Sequence, residues 1–140
     1  VVLSLDLSLV EEMVAACLVA WPEEGCGLLG GRPGGEVVAC YPTRNAAHSA
    51  RYYEVDPGDY LRAMRRAETD GLQIIGAFHS HTHTDAYPSP TDISLAVDPD
   101  WYYVIVSFKH LLPSMRAYRI RGGKVVEEAI VVSKGSIRIR

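Results

Sequence analysis

Gln73-Ile74-Ile75-Gly76-Ala77-Phe78-His79-Ser80 runs straight into His81-Thr82-His83-Thr84-Asp85-Ala86-Tyr87-Pro88 and then Ser89-Pro90-Thr91-Asp92. The first eight residues read as a strand. The polar middle reads as a loop. Serine directly before proline is helix-start chemistry: the hydroxyl caps free amides and proline pre-sets the first turn. The stretch therefore predicts a strand, a loop and a short helix over Pro90 to Ala96.

Working outward, Asp56-Pro57 starts a preceding helix by the same logic, and Gly71 stops it. Downstream, Trp101 to Phe108 and Ser114 to Ile120 are apolar runs of strand length. Arg121-Gly122-Gly123-Lys124 then turns into a last strand, Val125 to Val132. Upstream, Ser8-Leu9-Val10-Glu11 has the form of a capping box and predicts a helix from Leu9 to Ala20, ending before Pro22. Cys26 to Gly31 and Glu36 to Tyr41 flank the turn residues Arg32-Pro33-Gly34-Gly35 and predict a hairpin. Asn45 to Arg51 reads as a loop and Tyr52 to Val55 as a short strand. The expected class is α/β in the mixed, α+β sense: a single mixed or largely antiparallel β-sheet flanked by helices. One domain over residues 1–140 accommodates this. Its tail, 133–140, is either a last strand or a flexible segment.

Composition narrows the function. Hydrophobic residues make up 48 % and charged residues 22 % of 140, so the chain buries a core large enough to fold without a structural metal or disulfide. The net charge of −3 speaks against nucleic-acid binding. Arg62, Arg65 and Arg66 have the spacing of a solvated helix face. No run reaches membrane-span length, and Val1 to Asp6 has no basic leader character. Cys17, Cys26 and Cys40 form no dense framework and read as small buried hydrophobes in a reducing compartment, with the cytoplasm expected.

The chemistry concentrates between His79 and Asp92. Alternate residues of a strand share a face, so His79 and His81 can reach one ion. Asp92 falls in the first turn of the following helix. Two imidazoles and a carboxylate suit Zn2+ and leave a fourth position open for water, as catalytic sites require. The bland alternatives are two surface histidines and a serine that merely caps a helix. His83, His48, His110 and Asp85 read as exposed residues outside the site. Cys26 as a thiol nucleophile is disfavoured because nothing in the sequence sets a histidine beside it.

With seven residues between His81 and Ser89 and two between Ser89 and Asp92, and with Glu24-Gly25-Cys26-Gly27-Leu28-Leu29 upstream, the chain resembles the JAMM (MPN+) zinc metalloprotease family. The likeness runs from about residue 7 to residue 121 and includes Asn45, the Tyr53 to Asp56 stretch and Tyr102 to Ser107. It implies a cytidine-deaminase-like JAMM/MPN architecture, zinc on His79, His81 and Asp92, and Glu24 rather than Glu23 as general base and acid. Ser89 would help hold the developing oxyanion. Relatives commonly carry proline after the second histidine, where this chain has Thr82. The compact form resembles prokaryotic enzymes that act at the C-terminus of ubiquitin-like sulfur-carrier proteins, as peptidase or isopeptidase. The competing readings are a zinc hydrolase of another small peptide or amide, such as one releasing cysteine from a carrier's end, and a non-catalytic scaffold module. The sequence carries no signal of oligomeric state.

Overall fold

A computed structural model describes residues 2–134. In chain order the elements are β1 (Val2–Asp6), α1 (Leu7–Ala20), β2 (Cys26–Arg32), β3 (Glu36–Thr43), α2 (Pro57–Thr69), β4 (Gln73–His81), α3 (Pro90–Leu95), β5 (Tyr102–Ser107), β6 (Ser114–Arg121) and β7 (Lys124–Ser133). The seven strands form one mixed sheet in the order β1-β3-β2-β4-β5-β6-β7, and it curls until β1 meets β7 and closes the ring.

Local chemistry explains most boundaries. Gly34 and Gly35 take positive φ (93° and 87°) and turn β2 into β3. Asp56 caps α2 by accepting the Asp59 amide, with Pro57 in the first turn. In α1 the buried residues Leu9, Met13 and Cys17 recur every four positions, which gives one apolar stripe facing the sheet. Alternate strand residues then supply two cores. Leu29, Phe78, Tyr102, Val104 and Val106 pack with α1, while Leu28, Ala77, Tyr103, Ile105 and Tyr118 pack with Ala63 of α2. This places a helix on each face of the sheet.

Three features differ from the sequence reading. Helix α1 starts at Leu7, because Asp6 rather than Ser8 is its cap and accepts the Ser8 amide at 3.1 Å. Residues 2–6 are a strand: Leu3 and Leu5 alternate inward and β1 runs parallel to β7, from Val2 opposite Ala129 to Asp6 opposite Ser133. Tyr52 to Val55 makes only an isolated bridge, Asn45 to Val55, because its backbone is engaged by Asn45 instead of a strand neighbour. Residues 135–140 of the tail lie outside the described residues; Ser133 closes β7. No helix of the described chain is long and apolar enough to cross a membrane.

The site depends most on β4 and β5, which are parallel and paired from Gly76–Tyr102 to His81–Ser107. Parallel neighbours need a crossover, so residues 82–101 must leave the end of β4 and return to the start of β5. That crossover carries α3 and brings its first turn back over the carboxyl end of β4.

Candidate metal centre and catalytic cleft

His79 and His81 sit at the carboxyl end of β4 with side chains on one face, and Asp92 reaches them from the first turn of α3. The His79 Nε2 and His81 Nε2 atoms are 3.2 Å apart, and Asp92 Oδ2 lies 3.1 Å from the first and 2.9 Å from the second. Relative exposure is 2 % for His79, 3 % for His81 and 7 % for Asp92. The three residues form a group able to hold a metal ion.

The local hydrogen bonds bear on whether a cation fits. His81 Nδ1 lies 2.8 Å from the Asp85 carbonyl, which can only accept, so this nitrogen carries the proton and Nε2 presents its lone pair inward. The His81 Nε2 lone pair, His79 Nε2 and a carboxylate oxygen thus converge on one point, where a cation would be held by all three, and His79 Nδ1 is buried without a hydrogen-bond partner among the described residues. Electrostatics agree in direction. Burial lowers the His79 pKa. At His81 burial also works downward, but Asp92 and the Asp85 carbonyl outweigh it and the value is raised. Burial opposes ionisation of Asp92, yet the two histidines outweigh that and hold its carboxyl well below the usual range. The Tyr53 ring stacks on His79 with centroids 4.3 Å apart and the planes 20° from parallel.

The loop between β4 and α3 is tied down. The Ser107 hydroxyl donates to the Thr84 carbonyl and the Tyr118 hydroxyl to the Ala86 carbonyl, while Lys109 pairs with Asp85 at 3.4 Å. The Asp85 carbonyl is therefore fixed before it orients His81. Ser89 and Asp92 form a reciprocal capping box: Ser89 Oγ accepts the Asp92 amide at 3.0 Å, and the Ser89 amide donates to Asp92 Oδ2 at 2.9 Å. Ser89 is thus a cap in fact, and its hydroxyl proton is still free to donate.

Glu24 lies across the same cleft, 3 % exposed, at the junction of α1 and β2. Its amide donates to the Ser49 carbonyl at 2.8 Å and its carbonyl accepts Asn45 Nδ2 at 3.0 Å. The next residue, Gly25, donates to Ser80 Oγ at 2.8 Å and accepts the Ser80 amide at 3.0 Å. A Cβ on Gly25 would come within 2.7 Å of Cys17 Cα, so only glycine lets α1 pack this closely behind Glu24. The carboxylate oxygen Oε1 is buried without a hydrogen-bond partner among the described residues. Burial pushes the Glu24 carboxyl up to about 8, against a smaller lowering by His81. A nearby dication would pull this value down again.

That shift predicts a pH dependence for metal-free protein. A folded-state pKa raised from 4.5 to about 8 means that the native state favours the protonated carboxyl. The associated stability is present below about pH 4.5 and is lost as pH rises through about 8, a change of up to a few kcal/mol. Thermal melts of metal-free protein between pH 5 and pH 9 should show this loss, and Glu24→Gln should remove it.

Asn45 organises the adjoining loop. Beyond Glu24, its Nδ2 donates to the Tyr52 carbonyl at 3.1 Å, and its Oδ1 accepts the Ala47 and Glu54 amides, both at 3.0 Å. Replacing it by alanine strands several buried partners, and we expect Asn45→Ala to lower stability by about 2–3 kcal/mol in denaturant unfolding. The sequence places Asn45 only within a general likeness, and neither its role nor the Tyr53 stack was foreseen. The Asp85 carbonyl was missed too, since backbone groups leave no mark in side-chain identity.

The remaining candidates separate cleanly. Glu23 is a half-buried charge facing His48 at 3.4 Å. His83 is exposed and lies against Trp21 with the rings tilted by 43°, and its Nδ1 is 2.9 Å from Thr82 Oγ1. The sheet register does set Cys26 opposite His79, which the sequence did not reveal. However, the thiol turns toward Thr43 Oγ1 at 3.3 Å, and burial pushes it up to about 11, so it stays protonated near neutral pH. A cleft of about 470 Å³ remains in front of the triad, with Glu24, Arg51, His81, Thr82, His83 and Ser89 on its walls.

Comparison with known proteins follows the same outline. The family described as prokaryotic homologs of the JAB domain (Prok-JAB) matches residues 6–121. The chain is 39 % identical to the CysO-cysteine peptidase of Mycobacterium tuberculosis over 136 residues, covering 94 % of this chain and 91 % of the relative. It is 36 % identical to the desampylase of Haloferax volcanii over 88 residues, which cover 61 % of this chain and 63 % of the relative. Among solved structures, a protein of Desulfitobacterium hafniense superposes with a TM-score of 0.88 at 35 % identity, covering 96 % of this chain and 94 % of that one.

Proposed function

Because this chain belongs to the prokaryotic homologs of the JAB domain, we propose that it is a zinc peptidase that hydrolyses the amide at the C-terminus of a ubiquitin-like sulfur carrier and releases cysteine. His79 Nε2, His81 Nε2 and Asp92 Oδ2 would hold the ion, and the observation that carries the reading is their convergence opposite the buried carboxylate of Glu24. When bound, zinc supplies Lewis acidity, which acidifies water and polarises a carbonyl.

The chain's own residues do the rest. Glu24 takes a proton from the attacking water as the new C–O bond forms, then delivers it to the nitrogen as the C–N bond breaks. Burial raises its pKa and a cation at the centre would lower it, and these opposing effects suit a carboxyl that must both accept and return a proton. The amides of Glu24 and Gly25 are held by Ser49 and Ser80, so the carboxylate is aimed by main-chain bonds on both sides. Ser89 keeps its capping bond to the Asp92 amide and turns its free O–H to the substrate oxygen that gains charge. The fixed 82–87 loop keeps His81 in the tautomer that a ligand needs.

The choice of cysteine as leaving group is supported by the CysO-cysteine peptidase likeness, which spans nearly the whole of both chains, while the desampylase likeness covers about three fifths. Three free cysteines, none in a disulfide, support a reducing, cytoplasmic setting. The test is cysteine release from CysO bearing a C-terminal cysteine, run beside an isopeptide-linked conjugate of the same carrier. Cleavage of the first and not the second is the expected result. The reverse preference would assign the chain to conjugate removal, and cleavage of neither by zinc-loaded protein would refute the reading.

A further inference from the structure

A peptidase that removes a single residue must accommodate a free α-carboxylate beside the bond it cuts. The departing nitrogen and the carboxylate carbon are separated by Cα alone, about 2.5 Å. That carboxylate therefore lies inside the cleft that Glu24 faces. A lysine side-chain amine, or a longer departing peptide, brings no such charge there. With zinc bound, the dication balances the charges of Glu24 and Asp92, so a further carboxylate beside the cut bond adds a net negative charge that a separate cation would offset.

Arg51 is the permanently charged cation on the cleft wall. Main-chain bonds hold its backbone in place. The Arg51 amide donates to Ser49 Oγ at 3.0 Å, the Ser49 carbonyl accepts the Glu24 amide at 2.8 Å, and the Ala50 carbonyl faces the Thr82 hydroxyl at 3.5 Å. The loop that aims Glu24 thus also carries Arg51. Its guanidinium meets no carboxylate among the described residues, whereas Arg44 and Arg62 pair with Asp59 and Arg66 pairs with Asp70. An exposed arginine with its fork unused is suited to bidentate carboxylate binding.

Resting on the peptidase reading above, we propose that Arg51 binds the free α-carboxylate of a one-residue leaving group and so makes the site selective for removing a single C-terminal amino acid. The probe is CysO carrying one C-terminal cysteine, prepared as the α-acid and as the α-carboxamide. Wild type should favour the acid in kcat/KM by roughly 10- to 100-fold, the range of a charge-assisted hydrogen bond. Arg51→Ala should bring the acid-to-amide ratio close to one, mainly through KM for the acid, and Arg51→Lys should restore part of it. Zinc content and melting temperature, measured on each variant, separate this from misfolding. Equal cleavage of acid and amide by wild type, or a wild-type ratio in Arg51→Ala, overturns the role of Arg51 and leaves the peptidase reading standing. Cleavage of neither substrate by zinc-loaded wild type overturns both.

Discussion

Glu24→Gln should keep its metal and lose hydrolysis, by roughly 10²–10⁴-fold in kcat, the usual contribution of a positioned acid–base group. The substitution preserves volume, and the bonds that place residue 24 are main-chain bonds to Ser49 and Asn45, which glutamine retains. What it removes is the ability of the side chain to take a proton and return it. No ligand atom changes, so zinc content should match wild type. The variant should also fold at least as well when metal-free at pH 8, because the cost of ionising a buried carboxyl is gone. Single-turnover rates alongside metal analysis check both halves. Loss of zinc in Glu24→Gln would show that Glu24 holds the metal and does not serve catalysis alone.

Asp92→Ala should have the second large effect, and a different one. Asp92 Oδ2 faces both imidazoles and also accepts the Ser89 amide that opens α3. Alanine removes a ligand and half of the capping box together. Zinc affinity should fall by more than the roughly 10–100-fold that loss of an outer-shell partner costs, and activity should fall to that of chelated protein. Losing the Ser89 amide's acceptor adds about 1 kcal/mol of lost stability. Asp92→Asn separates the two roles, since its amide oxygen still accepts the Ser89 amide but its charge is gone. Zinc loss with a smaller loss in melting temperature is the expected pattern, read by metal titration and thermal unfolding.

The parts of this protein that were legible in its sequence are those set by local chemistry. Turn residues at Arg32-Pro33-Gly34-Gly35 and at Gly122-Gly123 mark hairpins that exist, and Ser89-Pro90 and Asp56-Pro57 mark real helix starts. The candidate metal ligands could be picked out because two histidines share one strand face and a carboxylate follows in the first turn of the next helix, while Glu24 and Ser89 came from the family likeness alone. What escaped was set by distant partners. Residues 2–6 make too short a run to read as a strand alone, and they become one because β7 and β3 lie beside them. The 52–55 segment has strand-like residues, but Asn45 takes its backbone groups, so tertiary hydrogen bonding overrides local preference. In the same way His81 is oriented by a carbonyl four residues on, and any residue at position 85 could supply one.

The most direct test of the account is the zinc content of purified protein, measured with cysteine release from CysO–cysteine before chelation, after it, and after zinc is returned. About one zinc per chain is expected, with cleavage lost with the metal and regained when zinc is restored. Protein that cleaves equally well without metal, or that binds no zinc at the His79–His81–Asp92 centre, would contradict it.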